Sequence, residues 1–272
     1  MLRSPPRCLP GAVALTATLF AWSAAAQEKE APSLTFGAGV GATNDYEGSD
    51  EFQAVPLVSF EYVGRRFSVK SRGIGLEADV IPSPKLQFGP IVSYRFGRDE
   101  DVDDRAVAAL PEVDDSLEVG MYAATGVPMT ALGIEDPGVV FARGSFVHDI
   151  LDGHDGFLIS GSVGVTRPLA EDLKGVLSVS TNYASDAYMN AYFDVTPAGA
   201  AASGLSRFDA DGGFKDVGVS AVLSYAFTDS WSLSVIGAYT RLLGDAASSP
   251  VTADAGSRDQ FFGGLSINYR AF

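Results

Sequence analysis

From residue 33 onward, apolar residues recur at every second position, and they never run together for the eighteen or more residues that a membrane-spanning helix needs. In Trp231 to Arg241 one face carries Trp231, Leu233, Val235, Gly237 and Tyr239, and the other carries Ser232, Ser234, Ile236, Ala238 and Thr240. A period of two is the signature of a β-strand, whose side chains point alternately to opposite faces. The same alternation runs through Val217 to Phe227, Phe157 to Thr166 and Leu177 to Ala184. A helical membrane protein is excluded, and two architectures remain: a soluble β-sandwich and a membrane β-barrel.

The connections separate these two. Pro168 to Asp172 and Thr228 to Ser230 are of hairpin length, so the strands they join are antiparallel. They alternate with long polar connections over 99–115, 151–156, 187–215 and 244–259. Short turns at one end and long loops at the other are the outer-membrane arrangement, with turns in the periplasm and loops outside. Aromatic residues near strand ends (Tyr94, Phe96, Tyr183, Tyr225, Phe227, Trp231, Tyr239, Tyr269) suit girdles at the two membrane interfaces. The reading is therefore all-β, a transmembrane antiparallel barrel over residues 33–272.

Strand segments fall at roughly 33–44, 53–63, 66–80, 85–97, 116–127, 138–149, 157–168, 174–186, 216–228, 231–242 and 259–270. That is an odd count, whereas single-chain bacterial barrels use even numbers. The segment 66–80 changes apolar phase from Phe67 and Val69 to Ile74, Leu76, Ala78 and Val80. Splitting it near Ser71-Arg72-Gly73 predicts twelve strands; a bulge there would leave ten as the alternative. The inward set is mostly Gly, Ser, Ala and Thr, which predicts a narrow lumen with some internal cavity.

The start of the chain reads as an export signal. Arg3 and Arg7 precede an apolar stretch from Ala12 to Trp22, and Ala24-Ala25-Ala26 suits cleavage before Gln27. Residues 1–26 are expected to be removed and 27–32 to form a short leading segment. Removal takes Cys8, the one cysteine, and moves the formal charge from −15 to −17. Nucleic acid is thus not an expected partner, because phosphates call for a basic face.

Motifs that could carry chemistry are few, and no catalytic, cofactor-binding or metal site is expected. Asp99-Glu100-Asp101-Val102-Asp103-Asp104, with Glu112, Asp114 and Asp115, reads as a solvated acidic loop; its other reading is divalent-cation binding beside lipopolysaccharide. Asp209-Ala210-Asp211-Gly212-Gly213 resembles the start of a calcium loop, but Ser220 stands where the bidentate Glu belongs. The two histidines, His148 and His154, flank Asp149 and Asp152, and Ser145 lies on the strand face opposite His148. No serine is placed for attack.

Several strings resemble one family. Asn44-Asp45-Tyr46-Glu47-Gly48-Ser49-Asp50, followed by Val55-Pro56-Leu57, resembles the amino-terminal signature of the MltA-interacting protein (MipA/OmpV) family. Tyr188 to Pro197, with Ser203-Gly204-Leu205, is similar to its most distinctive loop. Lys215-Asp216-Val217-Gly218, Arg241 to Ala246, Ser249-Pro250-Val251 and Gly256 to Phe261 extend the likeness over nearly the whole chain after the signal.

The resemblance implies a non-enzymatic outer-membrane barrel. It further implies either a scaffold that bridges a lytic murein transglycosylase and a murein synthase, or a porin-like or adhesive protein. Expected partners are outer-membrane lipid, lipopolysaccharide and the barrel-assembly machinery. The motif residues Asp45, Tyr46, Gly48, Ser49, Tyr192, Phe193, Thr196, Pro197, Gly244, Asp245, Arg258 and Asp259 fall in outer loops; Tyr192, Phe193, Asp194, Arg258 and Asp259 read either as residues that fix loop structure or as a cap packed over the lumen. Thr196-Pro197 reads as a turn or a helix start, and Arg258 as a partner for a loop carboxylate.

The last strand ends on Phe272, the assembly signal of such barrels, with Tyr269 on the lipid face. Strict alternation puts Phe272 on the face opposite Leu265, Ile267 and Tyr269. Ala271 therefore reads as one extra residue, which predicts a terminal bulge or a Phe272 lying beyond the last ladder bond.

Overall fold

A computed structural model describes residues 32–272 apart from 82 and 84. The expected signal peptide lies outside the described residues. Twelve strands form one closed antiparallel barrel: β1 (Ser33–Asn44), β2 (Phe52–Val63), β3 (Ser68–Ser71), β4 (Gly75–Asp79), β5 (Leu86–Arg95), β6 (Ser116–Pro128), β7 (Val139–Asp149), β8 (Phe157–Pro168), β9 (Leu173–Ala184), β10 (Gly213–Ala226), β11 (Trp231–Leu242) and β12 (Asp259–Arg270). Each strand pairs with its sequence neighbours, and β12 closes on β1 from Thr35 opposite Arg270 to Thr43 opposite Phe262. Closure removes the open sheet edges that would otherwise leave main-chain groups unmatched in hydrocarbon.

The segment 66–80 is two strands, which settles the count at twelve. Gly73 turns the chain at φ 55°, a conformation that an L side chain rarely adopts. Several boundaries shift by up to three residues from the sequence reading, two of them for a visible reason. The ninth strand stops at Ala184 rather than 186, because the Ser185 side chain caps a helix and accepts from Tyr188 N. The tenth starts at Gly213 rather than 216, because a bulge between Phe214 and Asp216 absorbs one residue and lets the ladder to β9 continue.

The outward face carries an apolar belt: Val40, Val58, Leu177, Val219, Leu223, Leu265 and Ile267 are all exposed. Trp231 and Tyr269 pack with tilted rings, their centroids 4.8 Å apart, at the turn end of the barrel. Tyr94 and Phe96, Phe157 and Tyr183, and Tyr239 and Phe261 form a second ring at the loop end. The longest turn-end connection, Met129 to Gly138, holds a 3-10 turn at Met129–Leu132.

At the terminus, Ala271 N donates to Leu34 O at 2.8 Å, and the reciprocal bond from Leu34 N reaches Phe272 O at 3.2 Å. Two residues thus oppose Leu34, the arrangement of a bulge. Phe272 is exposed.

Candidate functional site

The loop end of the barrel folds into a compact lid. Its helices are α1 (Arg105–Ala108), α2 (Asp186–Phe193), α3 (Pro197–Ser203), α4 (Gly244–Ser248) and α5 (Pro250–Ala253). Asp104 caps α1 by accepting from Ala106 N and Val107 N, Thr196 caps α3 from Gly199 N with Pro197 in its first turn, and Ser249 caps α5 from Val251 N. Tyr188, Met189, Tyr192 and Phe193 of α2 are buried against Leu158, Leu242 and Ala246. Tyr46, Val107, Leu110, Val195 and Val251 form a second apolar cluster, so four separate loops share one small core.

Ionic contacts lock this lid to the lumen. Lys215 Nζ donates to Glu47 and, at 2.6 Å, to Asp216; Tyr188 OH donates to Glu47 Oε2 at 2.6 Å. Burial alone would raise the Glu47 carboxyl, but Lys215 and Arg95 outweigh it and hold the group below the usual glutamate range. Arg95 Nε donates to Glu118 at 2.8 Å, and His154 Nε2 lies 3.2 Å from the same carboxylate, with its ring edge-on to Tyr188. Arg98 donates to the carbonyl of Tyr192 at 2.9 Å. Burial pushes the phenols of Tyr46, Tyr188 and Tyr192 well above their ordinary range, which keeps them as neutral donors.

The motif residues meet in this lid. Tyr46 OH donates to Ala255 O at 2.8 Å. Asp45 accepts from Asp103 N at 3.0 Å, and burial raises its carboxyl. Gly48, at φ 103°, donates to the Gln260 side chain, and a Cβ there would stand 2.6 Å from Thr252 Oγ1. Ser49 is buried, and its Oγ accepts from Glu51 N. Gly244 turns at φ 52°, and Asp245 accepts from Asp211 N. Asp259 pairs with Arg241 at 2.6 Å, and the Arg258 carbonyl accepts from Leu242 N at 2.8 Å. Tyr269 and Phe272 lie at the opposite end of the barrel, away from the lid.

Below the lid the lumen holds a second layer that the small inward residues did not forecast. Glu77 accepts from Arg143 at 2.8 Å and lies 3.1 Å from Lys70 and 3.9 Å from Arg72. The Arg143 guanidinium sits 4.2 Å over the Tyr122 ring, and Ile91, Ala124 and Phe141 pack around that ring. Between the layers is a cavity of about 120 Å³, lined by Arg95, Glu118, Ser160, Asn182, Asp216 and Ser220 among others. It has room for roughly ten waters. Charges at mid-strand positions on the face away from lipid were the available signal: Glu77, Glu118 and Arg143 interrupt otherwise apolar or small-residue strands.

The acidic connection is put to structural use. Asp104 caps α1, and Asp115 accepts from Gly97 N at 2.8 Å. Among the described residues, no group of three or more His, Cys, Asp or Glu side chains is arranged to hold a metal ion. His148 points to the outer face, with Nδ1 2.9 Å from Gly156 O.

An even-numbered closed barrel with an apolar belt, two aromatic rings, short turns at one end and capped loops at the other is an outer-membrane β-barrel. The model of the family described as "MltA-interacting protein MipA" matches residues 36–271, and the chain belongs to that family. Among solved structures it is similar to the NanC porin (9% identity, 87% of this chain and 98% of that one, TM-score 0.45). It is also similar to an outer membrane channel from Pseudomonas putida F1 (12% identity, 90% and 97%, TM-score 0.43) and to OmpT of Vibrio cholerae (9%, 90% and 99%, TM-score 0.41). No curated protein matches the chain in sequence.

Proposed function

We propose that the chain is a non-enzymatic outer-membrane protein that serves envelope assembly through protein contacts, as a scaffold for murein-cleaving and murein-synthesising enzymes. The observation that carries this reading is the lid fastened over the loop end of the barrel, with the Glu77–Arg143–Tyr122 cluster on the inner wall below it, an arrangement that suits a rigid platform. The family description names a murein enzyme as partner, and the Met129 to Gly138 connection offers a periplasmic contact point with Leu132 and Ile134 exposed at its tip. On this reading residues 1–26 are a cleaved signal, and sequencing of the envelope form is expected to begin at Gln27. Terminal Tyr269 and Phe272 address the barrel-assembly machinery, and the apolar belt meets lipid and lipopolysaccharide. Affinity capture from solubilised envelopes tests the proposal: a murein transglycosylase or synthase should be retained, and should be lost on Leu132→Ser with Ile134→Ser. Capture of neither enzyme would end the scaffold reading.

A second reading, a narrow channel for small solutes, is favoured by one observation. Ser178 and Ser220, Ser224 and Ser234, and Asn268 and Ser234 form a hydrogen-bonded polar track down the inner wall. Planar-bilayer recording separates the readings, since a scaffold is silent.

A further inference from the structure

The barrel wall is not of even height. β3 and β4 have 4 and 5 residues, whereas their neighbours β2 and β5 have 12 and 10. On one side β2 is paired with β1 along its whole length, from Phe52 opposite Asn44 to Val63 opposite Ser33. On the other it meets β3 only at Glu61, Tyr62 and Val63, and Phe60 N then finds the Ser71 side chain at 2.9 Å. From Phe52 to Ser59 no strand among the described residues runs along that edge. The far side of the gap is the hairpin tip Arg72-Gly73-Ile74, where Ile74 O accepts from Tyr94 N of β5. Above it the connection between β5 and β6 crosses over and ties to Asp45 through Asp103 N. The result is a roofed window on the loop-side half of the wall, the half that lies in the outer leaflet.

The residues along the open edge are adapted to it. Phe60 directs its main-chain groups toward β3, so by the period of two Val58, Pro56 and Ala54 direct theirs into the gap. Pro56 has no N–H to leave unmatched, and proline within a sheet belongs on an edge. The groups of Val58 and Ala54 that remain are tolerated at membrane depth only where water from a cavity reaches them. The lumen cavity supplies that contact, because Arg72, Ile74 and Tyr94, which frame the window, also line it.

Charge and polarity divide sharply across this frame. Outside, Val58 (75% exposed), Ile74 and Leu76 face lipid. Inside, three cations share the Glu77 carboxylate, and Arg72 at the lip is the most distant of them, at 3.9 Å. The next carboxylate on that strand, Asp79, accepts from Ile81 N and Phe88 N at the other end of β4. We propose that this window is a lateral site for an anionic amphiphile of the outer leaflet. Its phosphate-type head enters to Arg72, and its alkyl chain stays in the bilayer against Val58, Ile74 and Leu76. A bidentate guanidinium contact to a phosphate in a low-dielectric site supplies the selectivity for the head.

The test uses the full barrel in a neutral maltoside detergent, titrated with dodecyl phosphate and, separately, with inorganic phosphate. One saturable site per barrel is expected for dodecyl phosphate, with inorganic phosphate at least about a hundredfold weaker. Arg72→Gln should weaken the alkyl phosphate at least about tenfold. Ile74→Asp, which lies outside the ion-pair cluster, should do the same with an unchanged unfolding midpoint, so a folding defect in the first variant does not decide the matter. A photoreactive alkyl phosphate should label residues 54–58 or 74–76. Equal binding of inorganic phosphate would replace the lateral site with a lumen anion site. Absence of saturable binding, indifference to both substitutions, or label spread evenly around the belt would each overturn the proposal.

Discussion

Lys215→Met tests how the lid is held. The ammonium is 6% exposed and contacts two carboxylates, Glu47 (8% exposed) and Asp216 (3% exposed). After its loss Glu47 retains the Tyr188 hydroxyl and Asp216 retains the amide of Asn182, but two negative charges then face each other without their cation. Removing one partner of a buried ion pair costs about 3–5 kcal/mol. Glu47 sits in the loop after β1, so the cost falls on the lid rather than on the ladder. At about 1.4 kcal/mol per tenfold, the open population should rise by roughly two to three and a half powers of ten. Hydrogen exchange reads this directly at Met189 N and Asp194 N, which close α2 by bonding Ser185 O and Asn190 O. Adding Glu47→Gln should recover most of the protection, because a neutral amide can keep the Tyr188 bond without an unpaired charge. The reasoning is wrong if α2 exchanges at its native rate in Lys215→Met, or if amides of the paired wall, such as those of Val179 and Val219, accelerate as much as α2 does.

Acid should open the same lid. The folded Glu47 carboxyl lies below its ordinary value of 4.5, so its contribution is fully present above that pH and is lost as pH falls through the folded value; pepsin cleavage within 185–212, corrected for the protease's own pH dependence on an unfolded substrate, should therefore rise as pH falls below 4.5. Glu77→Gln removes the one carboxylate shared by Lys70, Arg72 and Arg143, and should lower barrel stability by about 3–5 kcal/mol in denaturant titration followed by gel mobility. Gly48→Val combines a φ of 103° with a Cβ contact to Thr252, and should destabilise the lid by about 1–3 kcal/mol, seen as faster exchange at Ser257 N, which bonds Gly48 O. Thr196→Ala should cost about 1 kcal/mol of local α3 stability, measured at Ala200 N and Gly204 N, while leaving β10 unchanged.

The outward half of this barrel was legible because lipid imposes one rule on every position that meets it. Leu223, Leu265 and Ile267 had to be apolar, and that demand writes the period of two into the sequence. The turn chemistry added the strand partners, and the phase change between Val69 and Ile74 disclosed the extra hairpin. That hairpin's lack of height was not legible, since a phase change marks a boundary without saying where the neighbouring strand loses its partner. The lumen imposes no such rule. Serine, glycine and alanine fill most inward positions and suggest open space, yet a few large residues decide whether the space is open. Glu77, Tyr122 and Arg143 come from β4, β6 and β7, separated by as many as 66 residues, and each looks like an isolated exception within its own strand. Only the register that sets β4 beside β5, β5 beside β6 and β6 beside β7 brings the three together. The lid follows the same logic: Tyr46, Val107, Val195 and Val251 each look like a stray apolar residue in a polar loop, and closure of the barrel is what turns four strays into one core. A chain with the same outward pattern but polar residues at those four positions should still insert as a twelve-stranded barrel, with its loops unfastened and its lumen exposed from outside.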